Sequence, residues 1–138
     1  MVKSQRLSVH TTKQGDTRDL TRDVARALQD SGLQDGIATV FVTGSTAAVT
    51  TIEFEPGAVA DFDRLLSALA PYGRDYAHHL RWGDDNGSGH VRAALLGPSI
   101  TVPFQQGRLA LGTWQQIVLV ECDTQGRSRE VVVQMLGE

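Results

Sequence analysis

Apolar residues recur along this chain at two different spacings, and the spacing separates strands from helices. Val2, Leu7 and Val9 punctuate an otherwise polar opening segment, which predicts a strand over residues 2–11. Between 17 and 31, Leu20, Val24, Ala27 and Leu28 return every three or four positions and place one apolar stripe on a helix. Asp16 or Thr17 stands where it can cap that helix, Asp19 suits the positive end of its dipole, and Gly32 can close it in a left-handed conformation. The β-branched run from Ile37 to Val42 reads as a strand, and residues 48–54 read as another. Pro56 and Gly57 end that strand and open a second amphipathic helix, with Val59, Phe62, Leu65, Leu66 and Leu69 on its stripe and Pro71 beyond its end.

Residues 72–89 show neither period and read as irregular; Val91 to Leu96 read as a short helix stopped by Gly97. Strands follow over 99–104, 109–111, 115–121 and 130–136, with Gln106-Gly107 and Gln125-Gly126 at turn centres, where glycine supplies positive φ. Two to three helices and a run of consecutive strands predict a single compact α+β domain over residues 1–138 with a mainly antiparallel sheet. Strands 99–104 and 115–121 are expected side by side in it.

Composition narrows the function classes. A chain of 138 residues, 41% hydrophobic and 21% charged, supports one globular core and no second one. Its formal charge of -3 gives no bulk field for nucleic acid or an anionic membrane, so neither is expected as a partner. Cys122 is the only cysteine, which excludes an intrachain disulfide and an all-cysteine zinc site. The opening residues lack the apolar stretch of a secretory signal, and the apolar run Ile117–Val120 is far too short to span a bilayer. A soluble, cytoplasmic protein is the expectation.

Polar chemistry concentrates between Tyr76 and Gln115. His78 and His90 flank a segment holding Asp84, Asp85 and Asn86. Neutral imidazoles ligate metals, and they also titrate near neutral pH, so the same pair suits a metal site, acid–base work or phosphate binding. Two loop histidines bonded to carbonyls are the plain alternative. Asp84 and Asp85 can hold a divalent cation, while Asp-Asn-Gly is also ordinary turn chemistry. Gly44-Ser45-Thr46, between two predicted strands, offers hydroxyls and backbone N–H groups to an anion, without the lysine of a P-loop. Arg81, Arg92 and Arg108 can grip phosphate oxygens or form surface ion pairs. Trp82 can stack on a ring, and Gln115 can donate and accept. Glu53 and Glu121 are spare carboxylates, and Cys122 reads as an inert buried thiol.

Three groups of residues carry a resemblance: Gly44-Ser45-Thr46-Ala47-Ala48 with Thr51 to Gly57; Tyr76-Ala77-His78 with Asp84-Asp85-Asn86 and His90; and Leu95 to Ser99, Val102-Pro103, Gly107-Arg108-Leu109 and Leu111 to Ile117. Over essentially its whole length the chain resembles the YjbQ-type family, also called the secondary thiamine-phosphate synthase family. The resemblance implies a compact α+β homotrimer with a site near a subunit boundary. It also implies the joining of a pyrimidine diphosphate to a thiazole phosphate with release of pyrophosphate. Taken with the residue chemistry above, the resemblance makes His78, His90 and Asp84 the expected catalytic groups and Ser45, Thr46, Asn86, Arg81 and Gln115 the expected ligands of a small phosphorylated molecule. The residue chemistry alone makes His78, His90 and Glu53 the expected holders of a divalent metal, zinc or magnesium. Many members carry a histidine in a His-Thr-Ser motif where this chain has Gly44-Ser45-Thr46, which marks a distinct branch. The competing expectation is a non-catalytic trimer that binds a metal or a small anionic ligand.

Overall fold

The computed structural model describes residues 1–138. Its elements in chain order are β1 (Val2–His10), β2 (Thr17–Asp19), α1 (Thr21–Ser31), β3 (Gly36–Thr43), β4 (Ala47–Ile52), α2 (Pro56–Leu69), α3 (His79–Trp82), α4 (Gly87–Leu96), β5 (Ser99–Gln105), β6 (Arg108–Leu109), β7 (Gln116–Glu121) and β8 (Ser128–Gly137). The strands form two antiparallel sheets: β1-β8-β3-β5-β6, and the smaller β2-β7-β4.

Side-chain alternation decides how these sheets pack. Val131, Val133 and Met135 on β8, with Ala38, Val40 and Val42 on β3, face Ile117 and Leu119 on β7 and Ala47 and Val49 on β4. The α1 stripe of Leu20, Val24, Ala27 and Leu28 completes this main core. The opposite face of β7, Val118 and Val120, packs with Ala48 under Leu66 of α2 and Ala93 of α4. β7 is therefore buried on both faces, which is why its sequence is a continuous apolar run rather than an alternation.

That double burial overturns one expectation. β5 and β7 are not neighbours: β5 lies between β3 and β6 in the larger sheet, and β7 lies between β2 and β4 in the smaller. The turn at Gln125-Gly126 accordingly joins strands of different sheets, whereas Gln106-Gly107 closes a true hairpin, with φ of 52° and 72°.

Helix boundaries shift for local reasons. Residues 17–19, expected as the first turn of α1, instead pair with Val118–Val120. The helix starts at Thr21, whose N–H and hydroxyl donate to Asp19 Oδ1 at 2.9 and 2.7 Å, so Asp19 does the work expected of Asp16 or Thr17. Gly32 closes it at φ 74°, as expected. The stretch expected to be irregular contains α3 and the first turn of α4, giving four helices. No helix is long and apolar enough to cross a membrane.

Candidate functional site

Three chain segments meet at one end of the β4–β7 ladder. The β3–β4 connection brings Gly44, Ser45 and Thr46; the start of α4 brings Asn86 and His90; the β7–β8 connection and the start of β8 bring Asp123, Arg127 and Arg129. They enclose an open basin of about 350 Å³ with no apolar side chain in its wall.

The floor of the basin is a buried ion pair. Glu121 continues the inward phase of Ile117 and Leu119, and Arg129 the inward phase of Val131 and Val133. Arg129 Nε donates to Glu121 Oε1 at 2.9 Å and its Nη2 to Oε2, a two-pronged contact. Thr11 Oγ1 and the Asp123 N–H also donate to Glu121, at 2.6 and 3.1 Å. Arg129 Nη2 further donates to the Thr46 carbonyl and hydroxyl at 3.0 and 2.9 Å. The Cys122 N–H donates to the same carbonyl, so the 44–46 connection is pinned to the smaller sheet. Every side-chain hydrogen bond of Arg129 uses Nε or Nη2; Nη1 has no acceptor in the protein and lies against Gly44 at the basin's edge.

Above the floor lies Asp123, whose side chain is 3% exposed. Its Oδ2 accepts from the Thr46 hydroxyl, Asn86 Nδ2 and Arg127 Nε at 2.9, 2.9 and 3.1 Å, and its Oδ1 from the Gln125 N–H at 3.0 Å. Burial pushes this carboxyl up, but the four donors from Gln125, Asn86, Thr46 and Arg127 outweigh it and hold it below the ordinary 3.8. Both acidic groups are thus saturated by the protein. The free valences of the basin are donors: Nη1 of Arg129, the terminal nitrogens of half-exposed Arg127 and the Ser45 hydroxyl.

His90 joins this basin to the expected histidine cluster. Its ring lies 4.5 Å from that of His78, tilted by 41°. His78 Nδ1 is 3.3 Å from Asp84 Oδ1, and His79 Nε2 is 3.0 Å from Asp85 Oδ1. Both nitrogens are shielded from solvent, and neither makes a well-aligned hydrogen bond. His78 and Asp84 therefore stand behind His90 rather than in the basin wall.

The structure brings together Ser45, Thr46, Asn86 and His90, with His78 and Asp84 adjoining. It does not bring in Gln115, Glu53 or Arg81. Gln115 donates to Thr51 Oγ1 at 3.3 Å and accepts from the Gly112 N–H at 3.0 Å, beyond the Ile52–Gln116 end of a ladder whose other end is Ala47–Glu121. Glu53 follows Ile52 at that same far end, about 23 Å along the strand from Thr46 at roughly 3.3 Å per residue. Arg81 is on α3 with its guanidinium 5.4 Å from the Trp82 ring centre. Arg92 is buried, with Nε donating to the Ala70 carbonyl at 2.9 Å, and Arg108 lies on β6.

His78, His90 and Glu53 do not converge as a metal cage. Nowhere are three His, Cys, Asp or Glu side chains arranged to hold an ion, and the carboxylate nearest the basin, Asp123, has its oxygens taken by protein donors. Sequence reasoning passed over Asp123, Arg127 and Arg129. The signal for Arg129 was available: it keeps the two-residue phase of Val131, Val133 and Met135, and a guanidinium carried inward needs a carboxylate, which Glu121 supplies by the same rule on β7.

Comparison with known proteins gives a consistent result. The family described as UPF0047 protein YjbQ-like matches residues 5–138. A UPF0047 protein from Archaeoglobus fulgidus is 37% identical over 130 residues, covering 94% of this chain and 98% of its own length. The UPF0047 protein YugU of Bacillus subtilis is 32% identical over 132 residues, 95% and 97% of the two chains. Among solved structures, a hypothetical protein from Aeropyrum pernix K1 superposes with a TM-score of 0.90 at 34% identity, covering 99% of both chains. A YbjQ-like protein of unknown function from Sulfolobus solfataricus P2 gives 0.89 at 32% identity over 100% of both.

Proposed function

The chain belongs to the UPF0047 YjbQ-like family, and on that premise we propose that its basin binds the phosphate group of a small phosphorylated molecule. One observation carries this reading: the carboxylates of Asp123 and Glu121 are saturated from within, while the unused groups around the basin are donors from Arg127, Arg129 and Ser45. A donor-rich basin with cationic walls complements an oxyanion, and guanidinium groups match phosphate oxygens in a two-pronged geometry.

The reaction that the resemblance implies would use such a site. The thiazole nitrogen attacks the methylene carbon of the pyrimidine diphosphate, the carbon–oxygen bond to the diphosphate breaks, and pyrophosphate departs with the electron pair. Arg127 and Arg129 would neutralise the growing charge on the leaving group, and a ring N–H of His90 would donate to it. The second reading, a protein that holds its ligand without turnover, is favoured by Gly44, which puts no side chain where the resemblance implies a histidine in many members.

Calorimetric titration with phosphate and pyrophosphate tests the binding. Arg127→Ala is expected to weaken pyrophosphate at least tenfold, about 1.4 kcal/mol; unchanged affinity sinks the proposal. Fluorescent detection of thiamine phosphate, with magnesium supplied, separates the two readings. Saturable product formation abolished by His90→Ala supports the synthase, and retained binding without product supports the binding protein.

A further inference from the structure

A second cavity, of about 340 Å³, adjoins the basin, and its walls are chemically unlike the first. Gly44, Ser45 and His90 border both. The remainder of the second is aliphatic, formed by Ala47 at the start of β4, Ala93 and Ala94 on α4, and Pro98 just after it. The two cavities are therefore halves of one trough, one cationic and donor-rich, the other apolar, and each alone is at the small end of the roughly 300–1,000 Å³ typical of ligand sites.

Gly44 sits at the join. Its φ of +150° is one that side-chain-bearing residues rarely adopt, and a Cβ built there would lie 2.9 Å from Arg129 Nη1. That nitrogen belongs to a guanidinium whose side chain is only 8% exposed, and it is the one arm without a protein acceptor. A side chain at position 44 would crowd the anion-facing arm and narrow the passage between the halves. Glycine keeps both open.

We infer that the ligand of this chain is a phosphate monoester with an apolar organic group, which crosses Gly44 to lie in the Ala93–Ala94–Pro98 groove, and that Gly44 is the residue that sets this specificity. The inference rests on the phosphate-binding reading and extends it to the rest of the molecule bound. The phosphate occupies the arginine half, the ester oxygen passes Ser45 and His90, and the organic group is apolar because the groove presents methyl groups and a proline ring to it. A sugar or a second charged group would gain no polar partner from these walls, whereas an apolar group gains contact with them.

Titration calorimetry with inorganic phosphate and phenyl phosphate tests this. Burial of the ring should make phenyl phosphate bind the wild-type chain at least about tenfold more tightly than phosphate. Ala94→Gln, at an exposed position on α4, fills the groove without adding charge. It should abolish that advantage while leaving phosphate affinity within about twofold. Gly44→Ala should reduce the advantage as well, and Arg127→Ala should weaken both probes; thermal melts establish that each variant is folded. Equal affinity of the two probes for the wild type, or an advantage that survives Ala94→Gln, overturns this inference and leaves the phosphate site standing. Failure of both probes to bind at millimolar concentration overturns the phosphate reading, and this inference with it.

Discussion

Glu121 and Arg129 are carried into the interior by the same alternation that buries their apolar neighbours, so their stability is a matter of mutual compensation. Glu121 is fully buried and the Arg129 side chain nearly so. Removing one partner leaves the other charge uncompensated, which costs about 3–5 kcal/mol in buried pairs. Arg129→Met should lower stability in urea unfolding by that amount, and Glu121→Gln with Arg129→Met should recover much of it. A double variant no more stable than the single one would mean that the contacts to Thr46, not the charge, dominate. Asp123 makes a pH-dependent contribution. Because its folded pKa lies below the ordinary value, it stabilises the fold above that value, and the contribution fades as pH falls through the folded pKa. Asp16 acts in the same direction: burial raises it, and Arg18 and Thr12 outweigh that effect. Unfolding midpoints should therefore decline below about pH 4, and Asp123→Asn should be less stable at neutral pH with a flatter acid limb. An unchanged acid limb would remove Asp123 from the account. Cys122 is inert for a related reason. Burial first, then the adjacent Glu121 charge, pushes its thiol up to about 12. Alkylating reagents at mildly alkaline pH should leave the native thiol unmodified and label it only after unfolding.

At the scale of elements, α4 shows how packing can reverse a propensity. Glycine in a helix is ordinarily worse than alanine by up to about 1 kcal/mol, so Gly87 and Gly89 read as helix breakers. In the fold, a Cβ at Gly87 would come within 2.4 Å of Tyr76 Cβ, and one at Gly89 within 2.4 Å of Asn86 Oδ1 and 2.7 Å of the Cys122 carbonyl. The close approach lets Asn86 reach Asp123 and sets His90 one turn further along. Gly89→Ala is accordingly expected to destabilise by about 1–3 kcal/mol, against its helix propensity, and to weaken phosphate binding. A stabilising effect in thermal melts would mean that the backbone relaxes freely there. The same case explains what was legible in the sequence. The stripes of α1 and α2 and the cores of β3, β4, β5, β7 and β8 follow from periodicity, because there local pattern and tertiary burial agree. β2 and the first turn of α4 do not, since a three-residue strand exists only as a partner of β7 and a Gly-Ser-Gly turn only as a fit against Tyr76 and Cys122. Sheet membership was hidden too: a continuous apolar run says that β7 is buried on both faces, not which strands flank it. For the basin, the chemistry-rich loop pointed to Asn86 and His90, which line it, and to His78 and Asp84, which stand behind His90, but Asp123 and the arginines on the β7–β8 side reach the basin only through the packing of the two sheets.

For the whole molecule, the question is what covers the apolar side chains that folding leaves outside. Leu65 and Leu69, four residues apart, face outward on α2, and Val91 and Leu95 do the same on α4, which Arg92 ties to the end of α2 through the Ala70 carbonyl. Leu80 and Trp82 on α3 are 91% and 66% exposed. Trp114, 73% exposed, lies beyond the opposite end of the β4–β7 ladder. A two-fold dimer buries one patch against its own copy, whereas a closed ring brings two different patches of each protomer together. We propose that these regions are covered in a closed ring, the homotrimer that the resemblance implies. The basin would then lie near a boundary, because the helix carrying His90 also carries Val91 and Leu95. Light scattering at micromolar concentration is expected to give about three times the 14.9 kDa chain mass. Charged substitutions such as Trp114→Glu and Leu80→Glu should shift the mass towards that of one chain, since an interface core does not tolerate an unpaired charge. A concentration-independent monomer would show that these side chains are simply solvated and that the basin is completed within one protomer.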